Sequence, residues 1–340
     1  MMKNKNIILI VILLFSLGML FGGDLDRVGT TSGAQLLIPV GARSIALGGA
    51  SLGSINGTEA IFWNPGGIAS TFKSEVMFSN MQYIADIDVN YLAAVFNGGN
   101  IGAFGFHIKS LSFGDIEQTT EEEPDGTGVT YSPSFIVSGL SYSRLLTDRI
   151  SAGITGKIIH ESIMQTGATT MALDLGVQYS FGPNLKLGVT MKNVGGKMKY
   201  SGRNLEESSP IQTINPQTDN GYFEGVALAS DIPSVFSFGL MYQMSFNEEN
   251  AISMSGTFSN FNDASDQAYG GIEYGFKETV FLRGGYNYEV QNSDNQVFGA
   301  SFGAGLKYPM GNFDIMFDYA FRQLTDYFNN SNIFTVKIGF

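Results

Sequence analysis

The sequence lacks cysteine altogether across its 340 residues. This absence excludes a disulfide framework, a thiolate metal site and a lipidated N-terminal cysteine. Charged residues make up only 15% of the chain, well below the share of about a quarter that soluble domains carry. The net charge is −12, which argues against a nucleic-acid partner, because phosphates are bound by clustered Lys and Arg.

Long apolar runs are also rare, and the one that stands out lies at the N-terminus. Lys3 and Lys5 precede an apolar run over Ile7–Leu20, and the small pair Gly22–Gly23 follows it. The run is shorter than the roughly 20 residues that a helix needs to span a bilayer. This order is typical of a signal peptide, so we expect residues 1–23 to be removed on export; an uncleaved anchor is the alternative.

Glycine and aromatic residues are abundant, with 43 Gly, 27 Phe and 15 Tyr. From about residue 74 onward, apolar side chains alternate with small or polar ones, as over Met171–Phe181. Alternation with a period of two predicts strands with one apolar face and one small or polar face. On this pattern Leu175 lies on the apolar face and Gly176 on the opposite one, and we expect Gly176→Ser to matter less than Leu175→Arg.

About fourteen such runs can be read from the sequence, each close to the ten residues of a tilted membrane strand. They cover 74–83, 88–96, 100–109, 134–144, 149–160, 169–181, 184–192, 234–247, 250–260, 268–276, 279–290, 296–307, 311–321 and 332–340. A β-propeller would repeat every 40–50 residues or so, and no such repeat is present. A two-sheet sandwich rarely needs so many strands of this length. The sequence therefore predicts an all-β protein, a transmembrane antiparallel β-barrel over residues 73–340.

The connections between these runs also indicate an outer-membrane barrel. Most are short, whereas Leu111–Pro133 and Gly195–Pro233 are long and polar, and outer-membrane barrels have short turns at one end and long loops at the other. The last run alternates and stops at Phe340. We interpret Phe340 as an assembly signal for the barrel assembly machinery, and we expect outer-membrane lipid to surround the barrel.

Candidate catalytic or metal-binding residues are few. His107 and His160 lie inside predicted strands, where structural roles are expected, and a nucleophile–base pair would need a third orienting group. The acidic stretch Glu121–Asp125 lacks the ligand spacing of a dedicated Ca²⁺ loop. We therefore predict no enzyme activity, no cofactor and no metal.

Residues 24–72 differ from the rest of the chain, because they are rich in Gly, Ala and small polar residues and do not alternate. They contain the run Gly41–Ala50, which includes Arg43, Gly48 and Gly49, and the run Phe62–Ala69. The second run holds Trp63, Asn64, Pro65 and Gly66, a bulky anchor followed by strong turn residues. We interpret residues 24–72 as a compact N-terminal plug that folds back into the barrel lumen; a surface turn leading into the first strand is the alternative.

Both runs resemble the PorV/PorQ family, which is itself similar to FadL-type long-chain fatty acid transporters. That family typically has an Ala-Arg and Gly-Gly-Ala pair followed by Trp-Asn-Pro-Ala-Gly, and Gly66 stands here where Ala is usual. The resemblance extends over the whole layout and implies a FadL-like barrel of fourteen strands with an N-terminal lumen plug.

Two functions follow from this resemblance. In the first, the chain is a component of type IX protein secretion in the bacterial outer membrane. There it would bind the C-terminal signal domains of cargo from the secretion translocon and pass them to the surface attachment machinery. In the second, it is a FadL-type channel for hydrophobic small molecules. A structural role in the envelope is a third, less specific possibility.

Overall fold

The computed structural model describes residues 28–71, 73–210, 220–291, 296–325 and 328–340. The predicted signal peptide, residues 1–23, lies outside these ranges. Within them, no helix is both long enough and apolar enough to cross a membrane.

Fourteen long antiparallel strands form the body of the described chain, as the alternation predicted. They are β1 Glu75–Gln82, β2 Asp88–Asn97, β3 Ala103–Ser112, β4 Ser134–Leu145, β5 Ile150–Ile163, β6 Thr166–Ser180, β7 Leu185–Gly195, β8 Val235–Ser245, β9 Asn250–Phe261, β10 Gln267–Phe276, β11 Val280–Glu289, β12 Phe298–Met310, β13 Phe313–Leu324 and β14 Ser331–Gly339.

Each strand pairs with its neighbours in sequence, and the first strand pairs with the last. The β1–β14 register runs from Glu75 opposite Gly339 to Met81 opposite Ile333. The N–H of Phe340 extends this pairing by donating to the carbonyl of Ser74 at 2.9 Å. The sheet is therefore closed and has no free edge, which is the condition for strands to cross a lipid bilayer. The prediction of a closed barrel of fourteen strands is confirmed.

The two faces of the sheet follow the predicted alternation. Along β6, Leu173, Leu175 and Val177 are exposed on the outside, whereas Asp174 and Gly176 are buried on the inside. An apolar outer face on a closed barrel is what the hydrocarbon core of a membrane requires. The wall is therefore suited to crossing a lipid bilayer.

Connections after odd-numbered strands lie at one end of the barrel, which we call the outer end, and those after even-numbered strands lie at the inner end. The outer end carries both long loops. The first contains a short hairpin of Ile116–Glu117 with Thr130–Tyr131, and the second a hairpin of Glu206–Pro210 with Asn220–Glu224. In the second loop, Ser201–Gly202 also adds a short strand to the start of β6.

A charge on the lipid face should destabilise the barrel far more than an apolar change at the same place. Leu175 lies near the middle of β6 with 46% of its surface exposed. We expect Leu175→Arg to lower the free energy of unfolding by about 2–4 kcal/mol, because the guanidinium has to be buried in hydrocarbon. Urea unfolding in lipid vesicles measures this, with Leu175→Phe as the control. Equal stability of the Arg and Phe variants would contradict the assignment of this face to lipid.

Residues 28–71 form what we call the inner segment. It contains two short α-helices, α1 Ala42–Ala46 and α2 Gly57–Trp63, and two 3-10 helices, Ala34–Leu37 and Pro65–Ser70. Most of its residues from Leu36 to Ile68 are buried. Shorter 3-10 turns, Ile84–Asp86, Gly99–Ile101 and Arg203–Leu205, lie in the loops.

The inner segment packs on the inward faces of strands all around the barrel. The N–H of Ala42 donates to the hydroxyl of Thr335 in β14 at 2.9 Å. On the other side of the barrel, the amide of Gln178 in β6 donates to the carbonyl of Ile55 at 2.8 Å. Lys109 in β3 donates to the carbonyl of Gln35 at 2.7 Å. The buried core of the molecule is therefore the interface between this segment and the wall.

Candidate functional site

The turn motif predicted from the sequence ties the inner segment to the wall. Helix α2 ends at Trp63, and the side-chain oxygen of Asn64 accepts from the N–H of Gly66 at 3.1 Å. The Asn64 amide donates to the carbonyls of Leu52 and Val177, each at 3.2 Å. Pro65 starts the 3-10 helix that follows. One side chain thus stabilises the turn and joins it to β6.

The turn packs directly against Gly176 of β6, a contact that the alternating sequence pattern does not predict. A Cβ atom placed on Gly176 would lie 2.2 Å from Oδ1 of Asn64 and 2.8 Å from Cδ of Pro65. That Gly176→Ser matters less than Leu175→Arg stays a prediction, but this close contact adds a cost to Gly176→Ser, because a Cβ atom would overlap Asn64. The inward face at this position is not an open lumen, because the inner segment fills it.

Gly48 and Gly49 follow α1 and both have positive φ angles, +68° and +97°. A Cβ on Gly48 would lie 2.6 Å from the backbone nitrogen of Tyr286, and one on Gly49 would lie 3.0 Å from the ring of Tyr269. Both the backbone conformation and the closeness of the wall therefore require glycine at Gly48.

Arg43 anchors α1 in a buried network of charges. Its guanidinium makes two hydrogen bonds of 2.9 Å to the carboxylate of Glu273. Arg283 bridges Glu273 at 2.6 Å and Asp318 at 2.5 Å. On the other side, Lys337 approaches Asp318 at 3.6 Å and Glu59 of α2 at 3.2 Å. The network carries three positive and three negative groups and links both helices of the inner segment to the wall.

The two histidines lie on opposite faces of the wall. His107 is buried on the inside, with its ring centroid 5.8 Å from that of Tyr91. His160 is exposed on the outside, where a ring nitrogen lies 2.9 Å from the hydroxyl of Thr169. Within the described ranges, no group of histidine and acidic side chains has an arrangement that could hold a metal ion.

A cavity of about 310 Å³ lies between the inner segment and the outer end of the barrel. Its floor is made by Ile45, Gly48 and Leu52 of the inner segment. Six aromatic side chains line it: Phe62, Trp63, Tyr83, Phe261, Tyr269 and Phe298. We call it the outer cavity. Small-molecule sites are typically concave, mainly apolar and furnished with a few polar groups, and this cavity fits that description.

Charged groups on the wall of the outer cavity are all cationic. Lys192 in β7 and Arg322 in β13 line it, and no Asp or Glu among the described residues does so. The ammonium of Lys192 lies 3.8 Å from the ring centroid of Phe62, and the guanidinium of Arg322 lies 3.6 Å from that of Phe298. Both cations therefore stack on aromatic rings that also line the cavity.

Tyr83, just beyond β1, forms the rim of the outer cavity beside Phe298, with 6.1 Å between the two ring centroids. Burial raises the pKa of the Tyr83 phenol above its ordinary value, and the nearby charge of Arg322 opposes this effect only in part. The phenol is therefore protonated at neutral pH and can act as a hydrogen-bond donor.

The inner end of the barrel has cavities of a different character, with volumes of about 470 and 370 Å³. Arg43, Asn56 and Glu273 line both, together with acidic and basic side chains of the surrounding strands. Helix α1 lies between the two ends, because Arg43 faces the inner cavities and Ile45 faces the outer one. The cavities of the two ends therefore lie on opposite sides of α1.

Trp63 was predicted from the turn motif, whereas Phe62, Lys192 and Arg322 were not predicted to line a cavity. The turn motif residues Asn64, Pro65 and Gly66 lie at the wall beneath the cavity rather than on its surface. The alternation placed Arg322 opposite the apolar face of its strand, which is a signal for an inward position. No sequence signal brings Arg322 together with Phe62, because the inner segment and β13 are remote in the chain.

No protein-family model matches the sequence, and no curated protein matches it. Solved structures do match in fold. The toluene transporter TodX of P. putida aligns with a TM-score of 0.55 and 14% identity over 88% of this chain and 96% of that one. The Ralstonia pickettii toluene transporter TbuX gives 0.53 and 14%, over 88% and 97%. A Pseudomonas aeruginosa FadL homologue gives 0.51 and 12%, over 89% and 98%.

The alignments cover nearly the whole length of each of these structures, but identities of 12–14% limit the similarity to the fold. The narrower resemblance to PorV/PorQ stays a prediction. The closed wall, the apolar outer face and these similarities together show that the chain has the fold of these solved structures, that of an outer-membrane β-barrel.

Proposed function

We propose that the chain is an outer-membrane channel that takes small hydrophobic molecules into its outer cavity. The observation that supports this most directly is the cavity itself, which is apolar, lined by six aromatic side chains and located at the end with the long loops. Aromatic side chains offer large apolar surface with defined ring geometry, which suits an apolar or aromatic ligand.

The volume of the outer cavity supports a compact ligand. At about 310 Å³ it lies at the lower end of the range of roughly 300–1,000 Å³ for small-molecule sites. The solved structures of similar fold include proteins described as toluene transporters and as a monoaromatic hydrocarbon channel. Those descriptions agree with the size and lining of this cavity.

The secretion function predicted from the resemblance stays a prediction. It would require a surface that binds folded cargo domains, and the long loops of the outer end are the part of the chain where such a surface would lie. The outer cavity is too small to hold a protein domain. Its apolar, aromatic lining favours the channel interpretation instead.

The chain contains one tryptophan, Trp63, and it lines the outer cavity. Toluene titrated into the protein in lipid nanodiscs should therefore change the tryptophan fluorescence in a saturable way. Filling the cavity with Ala264→Phe should weaken toluene binding by about tenfold or more, since the added ring occupies the ligand's space.

The matched control is Ala251→Phe, which adds the same bulk to a cavity at the inner end. It should leave toluene binding unchanged. A signal that does not saturate, or that is lost equally in both variants, would contradict the proposed function. Binding of an isolated cargo C-terminal domain to the loops, with no toluene response, would instead favour secretion.

A further inference from the structure

Arg322 has an unusual environment for a buried arginine. Only 8% of its surface is exposed, and its guanidinium stacks on the ring of Phe298. Within the described part of the chain, no carboxylate lies within ion-pair distance of it and no acceptor receives its hydrogen bonds. Burying a charge without a partner is costly.

Other inward-facing cations of the same barrel form ion pairs with acidic side chains. Arg283 contacts both Glu273 and Asp318, and Lys157 contacts Asp174 at 2.7 Å. Lys337 contacts Glu59. Arg322 differs from these cations, because its N–H donors face the outer cavity and not an acidic side chain.

Lys192 on another wall of the outer cavity adds to this positive character. Asp174, a carboxylate of the neighbouring strand, already accepts from Lys157 and from the backbone N–H of Asn193. The chain as a whole carries a net charge of −12. Its outer cavity nevertheless displays only cations, so the local field favours an anion.

Resting on the proposed function, we infer that the outer cavity takes a monocyclic aromatic carboxylate whose carboxylate group binds the guanidinium of Arg322. A guanidinium offers a planar fork that matches the two oxygens of a carboxylate. Stacking on Phe298 covers one face of the guanidinium and leaves its N–H edge for the ligand. The aromatic body of the ligand then packs among the rings of Phe62, Trp63 and Phe261.

Two further observations restrict the chemical groups and the shape of the ligand. Tyr83 at the rim can donate a hydrogen bond to the second oxygen of the carboxylate, because its phenol is protonated at neutral pH. The small volume and the six aromatic rings of the cavity favour a ring over a long aliphatic chain. The predicted ligand therefore has one ring and one carboxylate.

The test uses the full-length protein in nanodiscs and follows Trp63 fluorescence with four probes: benzoate, its neutral counterpart benzamide, toluene and hexanoate. Benzoate should bind more tightly than the other three. Arg322→Gln should weaken benzoate by about 10- to 100-fold, the loss expected for a hydrogen bond to a charged group, and should leave toluene within about twofold.

Two control variants distinguish the effect of the planar guanidinium group from that of a positive charge alone. Arg322→Lys keeps the charge but loses the planar fork, and it should restore only part of the affinity for benzoate. Lys307→Gln removes one positive charge from the inner cavities and should change nothing. Retained toluene binding in each variant shows that the barrel is folded.

Distinct outcomes overturn the inference and the proposed function. Equal binding of benzoate and benzamide, tighter binding of hexanoate than of benzoate, or an Arg322→Gln variant that weakens benzoate and toluene alike would overturn the carboxylate site while leaving the channel. Absence of a saturable response to any probe would overturn both.

Discussion

Deleting residues 26–70 from the mature protein is expected to raise the ionic conductance of the barrel in planar bilayers by roughly tenfold or more. Barrels of about eight strands fill their interior with their own side chains, whereas those of 16–18 strands leave an aqueous channel. A barrel of fourteen strands is wide enough to conduct once it is emptied. In this protein the inner segment occupies the space, because its residues are buried against strands on all sides.

The same measurement on the unmodified protein provides an independent check, since an emptied barrel could fail to assemble. The intact protein should conduct very little, because helix α1 separates the cavities of the two ends. Folding of the deletion variant is verified by its heat-dependent mobility in gels. A high conductance of the unmodified protein, or equal conductance of two folded forms, would show that the segment does not close the barrel.

Breaking the buried charge network should have the second-largest effect. Arg283→Met leaves Glu273 and Asp318 without their shared partner, and the side chains of Arg283 and Asp318 are fully buried. We expect the free energy of unfolding to fall by about 3–5 kcal/mol, because three buried carboxylates then share two cations, Arg43 and Lys337. Urea unfolding in lipid vesicles measures this value.

Lys73→Met provides the matched control for this experiment. It removes an ion pair of 2.8 Å with Asp314 whose side chains are 43% and 25% exposed. Exposed pairs contribute only about 0–1 kcal/mol, so this variant should remain close to the parent. If both variants lose similar free energy of unfolding, burial of the network is not what makes its ion pairs important.

The strands could be predicted from the sequence because lipid imposes a strict rule on one face of every strand. An exposed outer face must be apolar, so the period of two survives even where the inner face varies. The alternation over Met171–Phe181 gave the correct face for Leu175 and for Asp174. Strand ends were less accurate: β5 continues to Ile163 and β12 to Met310, beyond their predicted limits of 160 and 307.

The interior could not be predicted in the same way, because no periodic rule governs contacts between remote parts of the chain. Gly176 shows the difficulty: alternation put it on the inner face, but only the structure shows Asn64 against it. The outer cavity is similar, since residues from the inner segment, β7 and β13 meet there. The composition indicated that glycine and aromatic residues would be important for the barrel. It did not indicate which of them would be in contact.

The pairing of β1 with β14 has a consequence for the order of events during folding. A closed wall offers no gap through which two helices, already folded, could later be inserted from the side. The inner segment contacts β14 through Ala42 and β6 through Asn64, so its partners come from both halves of the chain. We therefore expect closure of the wall and packing of the inner segment to depend on each other during folding.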